Sequence, residues 1–287
     1  MSVLFFGDPA GALALIERGV QLVGLVHGRP GGRGRRALSP HLVGLPRWRL
    51  PDLSSPSVVA ALADTAPRLI VSYFYPRMIP QSVLNLAPGI NVHPSDLPRW
   101  RGPDPCTWAI RSGDAQTAIC VHQLTEGIDE GDVLHRLVVP IMPRDNTGRL
   151  AKRVENLGAD LVADVAEQIL AGKAPTARPQ TGSVTWAPTL DPDDWEIDWH
   201  QPAKVVDAWV RAASPEPGAY TGIGRELLVI LDGRPVDAEQ FERLEPATPF
   251  VRAGRAYIRC GLGAYRVDRV RLGRRFLTGR QFAALLV

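Results

Sequence analysis

Short apolar runs alternate with segments of helical spacing over the first third of the chain. Strand-like runs lie at residues 2–6, 20–26, 69–71 and 90–93. Between them, apolar residues recur at helical spacing in residues 10–18, 51–64 and 80–86. Strands that alternate with helices usually pair side by side in one direction. The pattern therefore predicts an α/β fold with a doubly wound, mostly parallel sheet.

The same pattern continues as far as residue 172. A helix is predicted after Pro103, and strands are predicted at residues 118–124 and 133–139. Residues 147–170 carry a long apolar stripe with the period of a helix. Its members are Leu150, Val154, Leu157, Leu161 and Val165. Gly172 marks the expected end of this helix.

The pattern changes after the long helix. Residues 174–203 are rich in Pro, Asp and Trp and have few periodic apolar positions, which is typical of a linker. A helix at 204–212 then precedes several short strand-like runs separated by turn residues, which predicts a small β-barrel or sandwich. We expect an N-terminal domain over residues 1–185, a linker over 186–203 and a C-terminal β-barrel-like domain over 204–287.

Composition narrows the class of protein. A chain of 287 residues with 45% hydrophobic and 22% charged residues can bury a sizeable core, which excludes disordered and collagen-like chains. It has no apolar run of about 18 residues and begins without a basic segment, so neither a membrane partner nor a secretory leader is expected. The three cysteines match no zinc spacing, which favours reduced thiols and a cytoplasmic location.

Two polar side chains end the fourth predicted strand. Asn91 and His93 are two residues apart, so they project from the same face of the strand. They lie at its carboxyl end, where open parallel sheets bind ligands. An amide can donate to a developing oxyanion, and an imidazole can move a proton near neutral pH. The pair is therefore a catalytic candidate, although a structural role is the alternative.

An acidic loop follows the strand at 118–124. It contains Glu126, Asp129, Glu130 and Asp132, and Gly127 and Gly131 allow it to fold tightly. A carboxylate held beside His93 is expected to raise the pKa of the imidazole. A solvated loop and a Ca²⁺ site are the alternatives. The spacing of an EF-hand is absent, and no metal is expected.

Together these segments resemble the active site of the N10-formyltetrahydrofolate-dependent formyltransferases. The shared pattern is Asn-x-His, then a Ser-x-Leu-Pro loop, then a carboxylate in a loop flanked by glycines. Its members here are Asn91, His93, Ser95, Leu97-Pro98 and Asp129. The resemblance extends over nearly the whole chain. It implies a Rossmann-like formyltransferase domain followed by a smaller OB-like β-barrel.

The resemblance also implies roles for individual residues. Asn91 and a protonated His93 would stabilise the negative formyl oxygen when an amine attacks, and Asp129 would keep His93 charged and assist proton transfer. The expected folate-binding residues are Arg77, Met78, Ile79, Leu124, Glu126, Gly127 and Ile128. The expected substrate-binding residues are Gly7, Asp8, Ser95, Asp96 and His122. Taken alone, residues 77–79 also fit a helix start, His122 a packed strand residue and Asp96 a helix or turn cap.

Three features bear on the amine that is formylated. Pro103-Asp104-Pro105-Cys106 stands where the branch acting on methionyl-tRNA usually has Ala-Ala-Pro-Ile, and His122 stands where that branch usually has Met. Residues 188–287 contain 14 Lys and Arg and 14 Asp and Glu, whereas tRNA binding gains from an excess of basic side chains. These features favour a small-molecule amine, either an amino sugar nucleotide or an amino-acid-like precursor in specialised metabolism.

Other functions stay open. A basic loop with Arg29, Arg33, Arg35 and Arg36 resembles that of the tRNA branch and keeps tRNA as the alternative partner. An Arg-rich stretch over residues 252–280 fits either a solvated face or a patch for an anionic ligand. Hydrolysis of the formyl folate and a binding-only protein are less favoured. The sequence carries no signal for the oligomeric state.

Overall fold

The structure is a computed structural model that describes residues 2–28, 40, 44–224, 226–237 and 243–287. Its contacts divide the chain into two units. The first comprises Met1–Pro105, Gln116–Pro140 and Lys152–Ala187, and the second comprises Cys106–Ala115, Ile141–Ala151 and Pro188–Val287. Among the described helices, none combines the length and apolar character that a membrane span requires.

A seven-stranded sheet forms the centre of the first unit. The strands are β1 (Ser2–Gly7), β2 (Gln21–His27), β3 (Arg47–Arg49), β4 (Leu69–Tyr73), β5 (Gly89–His93), β6 (Gln116–Gln123) and β7 (Val133–Pro140). They lie in the order β3-β2-β1-β4-β5-β6-β7. The first five pair in parallel, and β6 and β7 are antiparallel additions. This topology confirms the predicted doubly wound, mostly parallel sheet.

The central strands and the long helix form the core of this unit. The apolar residues of β1 and β4 are fully buried because the middle of a parallel sheet is covered on both faces. Its helices are α1 (Pro9–Glu17), α2 (Pro56–Ala63) and α3 (Gln81–Leu84). Next along the chain, α4 (Pro105–Arg111) belongs to the second unit apart from Pro105, and α5 (Thr147–Leu170) belongs to the first unit from Lys152 onwards. The bounds of α5 equal those predicted. Most of its apolar stripe is buried, but Leu157 is 38% exposed.

An antiparallel sheet forms the centre of the second unit. Its strands are β8 (Ala219–Ile223), β9 (Glu226–Val236), β10 (Pro249–Arg252), β11 (Arg255–Arg259), β12 (Ala264–Leu272) and β13 (Arg275–Thr278). The order is β10-β11-β12-β9-β8, and β13 also pairs with β12. The helices here are α6 (Ala203–Ala212) and α7 (Gly279–Ala283). A separate antiparallel β domain after the α/β domain is thus confirmed.

Candidate functional site

A cavity of about 460 Å³ opens at the carboxyl ends of β4 and β5 in the first unit. This position lies beside the point where the strand order reverses, between β1 and β4, which is where open α/β sheets bind ligands. The rim carries exposed apolar side chains: Phe74 is 36%, Ile128 44% and Met78 52% exposed. The volume and the apolar rim suit a small organic molecule.

Asn91 and His122 face each other across two antiparallel strands. They are direct partners in the register of β5 and β6, so their side chains project from one face. His122 Nδ1 lies 2.8 Å from the carbonyl oxygen of Gln123, and because a carbonyl only accepts, this nitrogen carries a proton. In the neutral ring, Nε2 then accepts from Asn91 Nδ2 at 3.1 Å. This contact fixes the orientation of the Asn91 amide.

Asp129 brings a carboxylate to the same place from the loop after β6. Its Oδ1 lies 3.4 Å from both Asn91 Nδ2 and His122 Nε2. Its Oδ2 accepts from the backbone N–H of Gly102 at 2.9 Å and lies 3.3 Å from His93 Nδ1. The predicted amide, imidazole and carboxylate therefore meet at one wall of the cavity, together with His122.

The surroundings of Asp129 keep it ionised. Burial by itself raises the pKa of this carboxyl group. Its contacts with His122, His93 and the Gly102 N–H act in the opposite direction and bring the pKa to about 2. Asp129 is therefore a carboxylate over the whole neutral range.

The net shift in the pKa of His93 differs from the expectation. Burial lowers its pKa, and this effect outweighs the opposing influence of Asp129 and of the Trp100 carbonyl. Asp129 does raise this pKa, as expected, but the net shift is downward, because the ring is only 4% exposed and loses most of its hydration. Nε2 lies 2.8 Å from the carbonyl oxygen of Trp100. The neutral ring therefore carries its proton on Nε2 and directs the lone pair of Nδ1 towards Asp129.

Most of the residues predicted for the site line this cavity. They are Arg77, Met78, Ile79, Asn91, His93, His122, Leu124, Gly127, Ile128 and Asp129. The other predicted residues are not part of its wall. These are Gly7, Asp8, Ser95, Asp96 and Glu126.

Several of the residues outside the cavity have local partners. Asp8 caps α1 by accepting from Ala10 N at 2.9 Å. A Cβ on Gly7 would lie 1.9 Å from the carbonyl oxygen of Tyr73, so only glycine allows this approach of β1 and β4. Ser95 is buried and donates to the Arg99 carbonyl at 2.6 Å.

Asp96 and Glu126 lie at more accessible places. Asp96 accepts two hydrogen bonds from the guanidinium of Arg136, at 2.5 and 2.6 Å. Its carboxylate is therefore already neutralised by a cation of this chain. Glu126 is exposed. Neither carboxylate is directed to the Asn91–Asp129 cluster by any contact in the described part of the chain.

Sequence reasoning missed part of the cavity wall. Gly102 and Pro103 both contribute to it. Gly102 matters most for the position of Asp129, because its backbone N–H donates the shortest hydrogen bond that the carboxylate receives. The Arg101-Gly102 pair lies two residues after the Ser-x-Leu-Pro loop, and that proximity was the available signal. The basic loop with Arg29, Arg33, Arg35 and Arg36 lies outside the described residues.

In the described ranges of the chain, no three or more His, Cys, Asp or Glu side chains are arranged to hold a metal ion. The site offers proton carriers, hydrogen-bond donors and one carboxylate.

Comparison with known proteins covers both units. The family model described as "Formyl transferase" matches residues 32–166, and the model described as "Formyl transferase, C-terminal domain" matches residues 189–285. Methionyl-tRNA formyltransferase from Symbiobacterium thermophilum is 38% identical over 245 residues, which span 80% of this chain and 75% of that protein.

Solved structures are similar at lower identity. The N-formyltransferase from Helicobacter canadensis, in complex with folinic acid and dTDP-3-aminofucose, has a TM-score of 0.69 and 13% identity, covering 92% of this chain and 97% of its own. HypX from Aquifex aeolicus, in complex with tetrahydrofolic acid, has a TM-score of 0.65 and 20% identity over 99% of this chain. The chain spans 46% of the length of HypX. At these identities the likeness concerns the fold alone.

Proposed function

This chain belongs to the formyl transferase family, and we propose that it transfers a formyl group from N10-formyltetrahydrofolate to the amine of a small molecule. The observation that carries the proposal is the meeting of Asn91, His93 and Asp129 at the wall of one cavity. An amide donor, a neutral imidazole and a carboxylate are the groups that acyl transfer to an amine requires.

The cavity fits the proposed formyl donor, N10-formyltetrahydrofolate. Its wall offers Phe74, Met78 and Ile128 as apolar surface for the pterin ring, beside the backbone of residues 76–79 and 124–128. Folates bound to two proteins of similar fold support this assignment. When bound, the donor supplies an electrophilic formyl carbon whose oxygen gains negative charge as an amine attacks.

The side-chain amide of Asn91 provides the hydrogen-bond donor for the formyl oxygen. One hydrogen of its amide is directed to His122 Nε2 at 3.1 Å, and the other faces Asp129 Oδ1 at 3.4 Å. The longer contact is the weaker hydrogen bond. The hydrogen that faces Asp129 is therefore the one available to an oxyanion, while His122 keeps the amide in place.

The His93–Asp129 pair accepts and returns the proton. The attacking amine becomes positively charged when its bond to the formyl carbon forms, and it must then lose a proton. His93 is neutral at rest and can hold that proton at Nδ1, where the carboxylate of Asp129 at 3.3 Å stabilises the imidazolium. The proton passes to the leaving nitrogen as its bond to the formyl carbon breaks, so no net proton is gained or lost.

The acceptor is proposed to be a small molecule on three grounds. His122 lies inside the cavity wall, Pro103 to Cys106 depart from the tRNA branch, and the charges of residues 188–287 cancel. An amino sugar nucleotide or an amino-acid-like precursor fits this expectation. The three cysteines are all buried and none of them forms a disulfide bond, which supports the expected cytoplasmic location.

Methionyl-tRNA is the second candidate acceptor. The observation that favours it is the 38% identity to the Symbiobacterium enzyme of that name, which far exceeds the 13% identity to the Helicobacter enzyme crystallised with an amino sugar nucleotide. Overall similarity and the residues at the site thus support different acceptors.

Parallel incubations with N10-formyltetrahydrofolate separate these functions. Three reactions contain a panel of amino sugar nucleotides and free amines, charged initiator tRNA, or no acceptor. Mass spectrometry is expected to find a small amine that has gained one formyl group, and Asn91→Ala should not form it. Formylation of tRNA alone would select the second candidate. Formate released without an acceptor would indicate a hydrolase, and folate binding without any product would indicate a binding protein.

A further inference from the structure

Two loops supply the backbone groups that hold the catalytic side chains. The first, residues 97–104, provides the Trp100 carbonyl that accepts from His93 Nε2 at 2.8 Å and the Gly102 N–H that donates to Asp129 at 2.9 Å. The second, residues 124–132, carries Asp129 itself. Neither loop is part of a helix or a long strand. Their relative position therefore depends on what ties them together.

A later segment, residues 178–187, connects these loops, and we name it the strap. At one end, Arg178 and Val133 exchange two backbone hydrogen bonds of 2.9 and 2.8 Å. At the other end, Arg101 N donates to the Thr185 carbonyl at 3.0 Å, and Ala187 N donates to the Arg101 carbonyl at 2.8 Å. The strap is thus anchored beside both loops, and all of these residues belong to the first unit.

Gln180 lies between the two anchors and contacts both loops through its side chain. Its Nε2 donates to the carbonyl oxygens of Asp129 and Gly131, at 2.8 and 2.9 Å. Its Oε1 accepts from Nε and Nη2 of Arg101, at 3.2 and 2.7 Å. Both donors and both acceptor positions of the amide are occupied. One side chain therefore links the backbone of Asp129 to the residue that precedes Gly102.

The backbone at Asp129 needs such support. Asp129 has a φ of +49°, in the left-handed region that residues other than glycine adopt rarely. A Cβ on Gly131 would lie 2.0 Å from the Gln123 carbonyl, so the loop turns back tightly against the end of β6. The two carbonyls that Gln180 holds lie on either side of this turn.

We propose that Gln180 is a positioning residue that keeps the carboxylate of Asp129 within reach of Gly102, His93 and His122. Its importance for catalysis rests on the proposed function. A displacement of about 1 Å can slow an enzymatic reaction by about 10²-fold. Loss of Gln180 is therefore expected to lower kcat by about 10- to 10²-fold, while KM for the folate changes much less.

Two substitutions and one control test the proposal by turnover. Gln180→Leu removes every hydrogen bond of the amide, and Gln180→Glu keeps an acceptor for Arg101 but loses both donors to the loop. Gln168→Leu makes the same chemical change on the exposed face of α5. Both Gln180 variants should lose kcat, and the control should match the wild type. Gln180 variants that turn over like Gln168→Leu would overturn the proposal.

A second measurement reports on position without any turnover. Asp129 raises the pKa of His93 against the effect of burial. If Asp129 moves away, the imidazole NMR signal of His93 should titrate at lower pH in Gln180→Leu than in the wild type and in Gln168→Leu. Identical titrations would overturn the proposal even if turnover fell. Failure of the wild type to transfer any formyl group would refute the proposed function, and the titration would still test the position of Asp129.

Discussion

The site has a strand-borne half and a loop-borne half, and the two are built differently. Asn91, His93 and His122 project from β5 and β6, whose backbones are fixed by the register of the sheet. Asp129 and Gly102 lie on loops that depend on hydrogen bonds from residues far along the chain. The strands therefore set the direction of the Asn91 amide and the His93 imidazole, whereas the position of the Asp129 carboxylate depends on contacts between loops.

The largest expected effect comes from the loop-borne half. Asp129→Asn removes the charge that stabilises a protonated His93 while keeping the shape of the side chain. Since positioned acid–base groups contribute about 10²- to 10⁴-fold, kcat should fall by about 10³-fold. Steady-state formyl transfer measures this. Glu130→Gln, an exposed neighbour in the same loop, is the matched control and should keep its activity; equal activity of the two variants would remove Asp129 from the mechanism.

The second-largest loss of rate is expected for Asn91, the hydrogen-bond donor on β5. Asn91→Ala removes the amide that is proposed to donate to the formyl oxygen, and loss of one such donor costs about 10²- to 10³-fold in rate. Because β5 keeps its pairing, thermal unfolding should change little. Asn85→Ala, at an exposed position after α3, provides the comparison. A turnover rate for Asn91→Ala within a few-fold of the Asn85→Ala rate would contradict the assignment of the donor.

A smaller effect is expected for the residue that orients the donor. His122→Phe removes the acceptor at 3.1 Å from Asn91, and one hydrogen bond of about 1 kcal/mol corresponds to a loss of roughly tenfold or less in kcat. His122→Gln can still accept from Asn91 and should retain more activity. Measuring kcat for both variants decides whether the ring orients the amide: identical losses would mean that acceptance at Nε2 is not what matters.

The smallest effect should be on stability against acid. The pKa of His93 is lowered by burial, so the unfolded chain takes up this proton first as the pH falls below the ordinary histidine value of about 6.5. The lowered pKa of Asp129 has the same sign, and its contribution is lost between about pH 4 and pH 2. Urea unfolding at pH 7.5 and 5 should show a decline of at most about 1.4 kcal/mol per pH unit for His93.

The histidine contribution can be isolated by substitution. In His93→Gln the decline in unfolding free energy between pH 7.5 and 5 should be smaller than in the wild type, because the buried ring is gone. An unchanged decline would show that other groups dominate the acid response in this range.

The sequence predicted the strands that carry apolar patterns and missed those that do not. Residues 147–170 form a helix as predicted, because a long amphipathic period has few alternatives. The strands Arg47–Arg49, Ala219–Ile223 and Arg275–Thr278 were not predicted. They are short, and two of them contain arginines at their ends, so alternation gives almost no signal over three to five residues.

The strand-borne and loop-borne halves of the site also differed in how well local sequence patterns predicted them. Strand alternation placed Asn91 and His93 on one face, whereas Asp129 was identified through the family pattern. Gln180 lies in a segment without periodicity, and its hydrogen bonds go to backbone carbonyls about fifty residues earlier, so no local pattern reveals it. The effect of Asp129 on the pKa of His93 was predicted with the right sign, but the larger, opposite effect of burial was not, because the depth of burial depends on the tertiary fold.

The strap also has a consequence for synthesis of the chain. A nascent polypeptide that has emerged from the ribosome as far as the end of α5 already contains Asn91, His93 and Asp129. Gln180, Thr185 and Ala187 have not yet emerged at that point. Reactive groups are thus translated well before the segment that aligns them. A product that terminates before residue 178 would carry Asn91, His93 and Asp129 without the hydrogen bonds that Gln180 makes to the two loops.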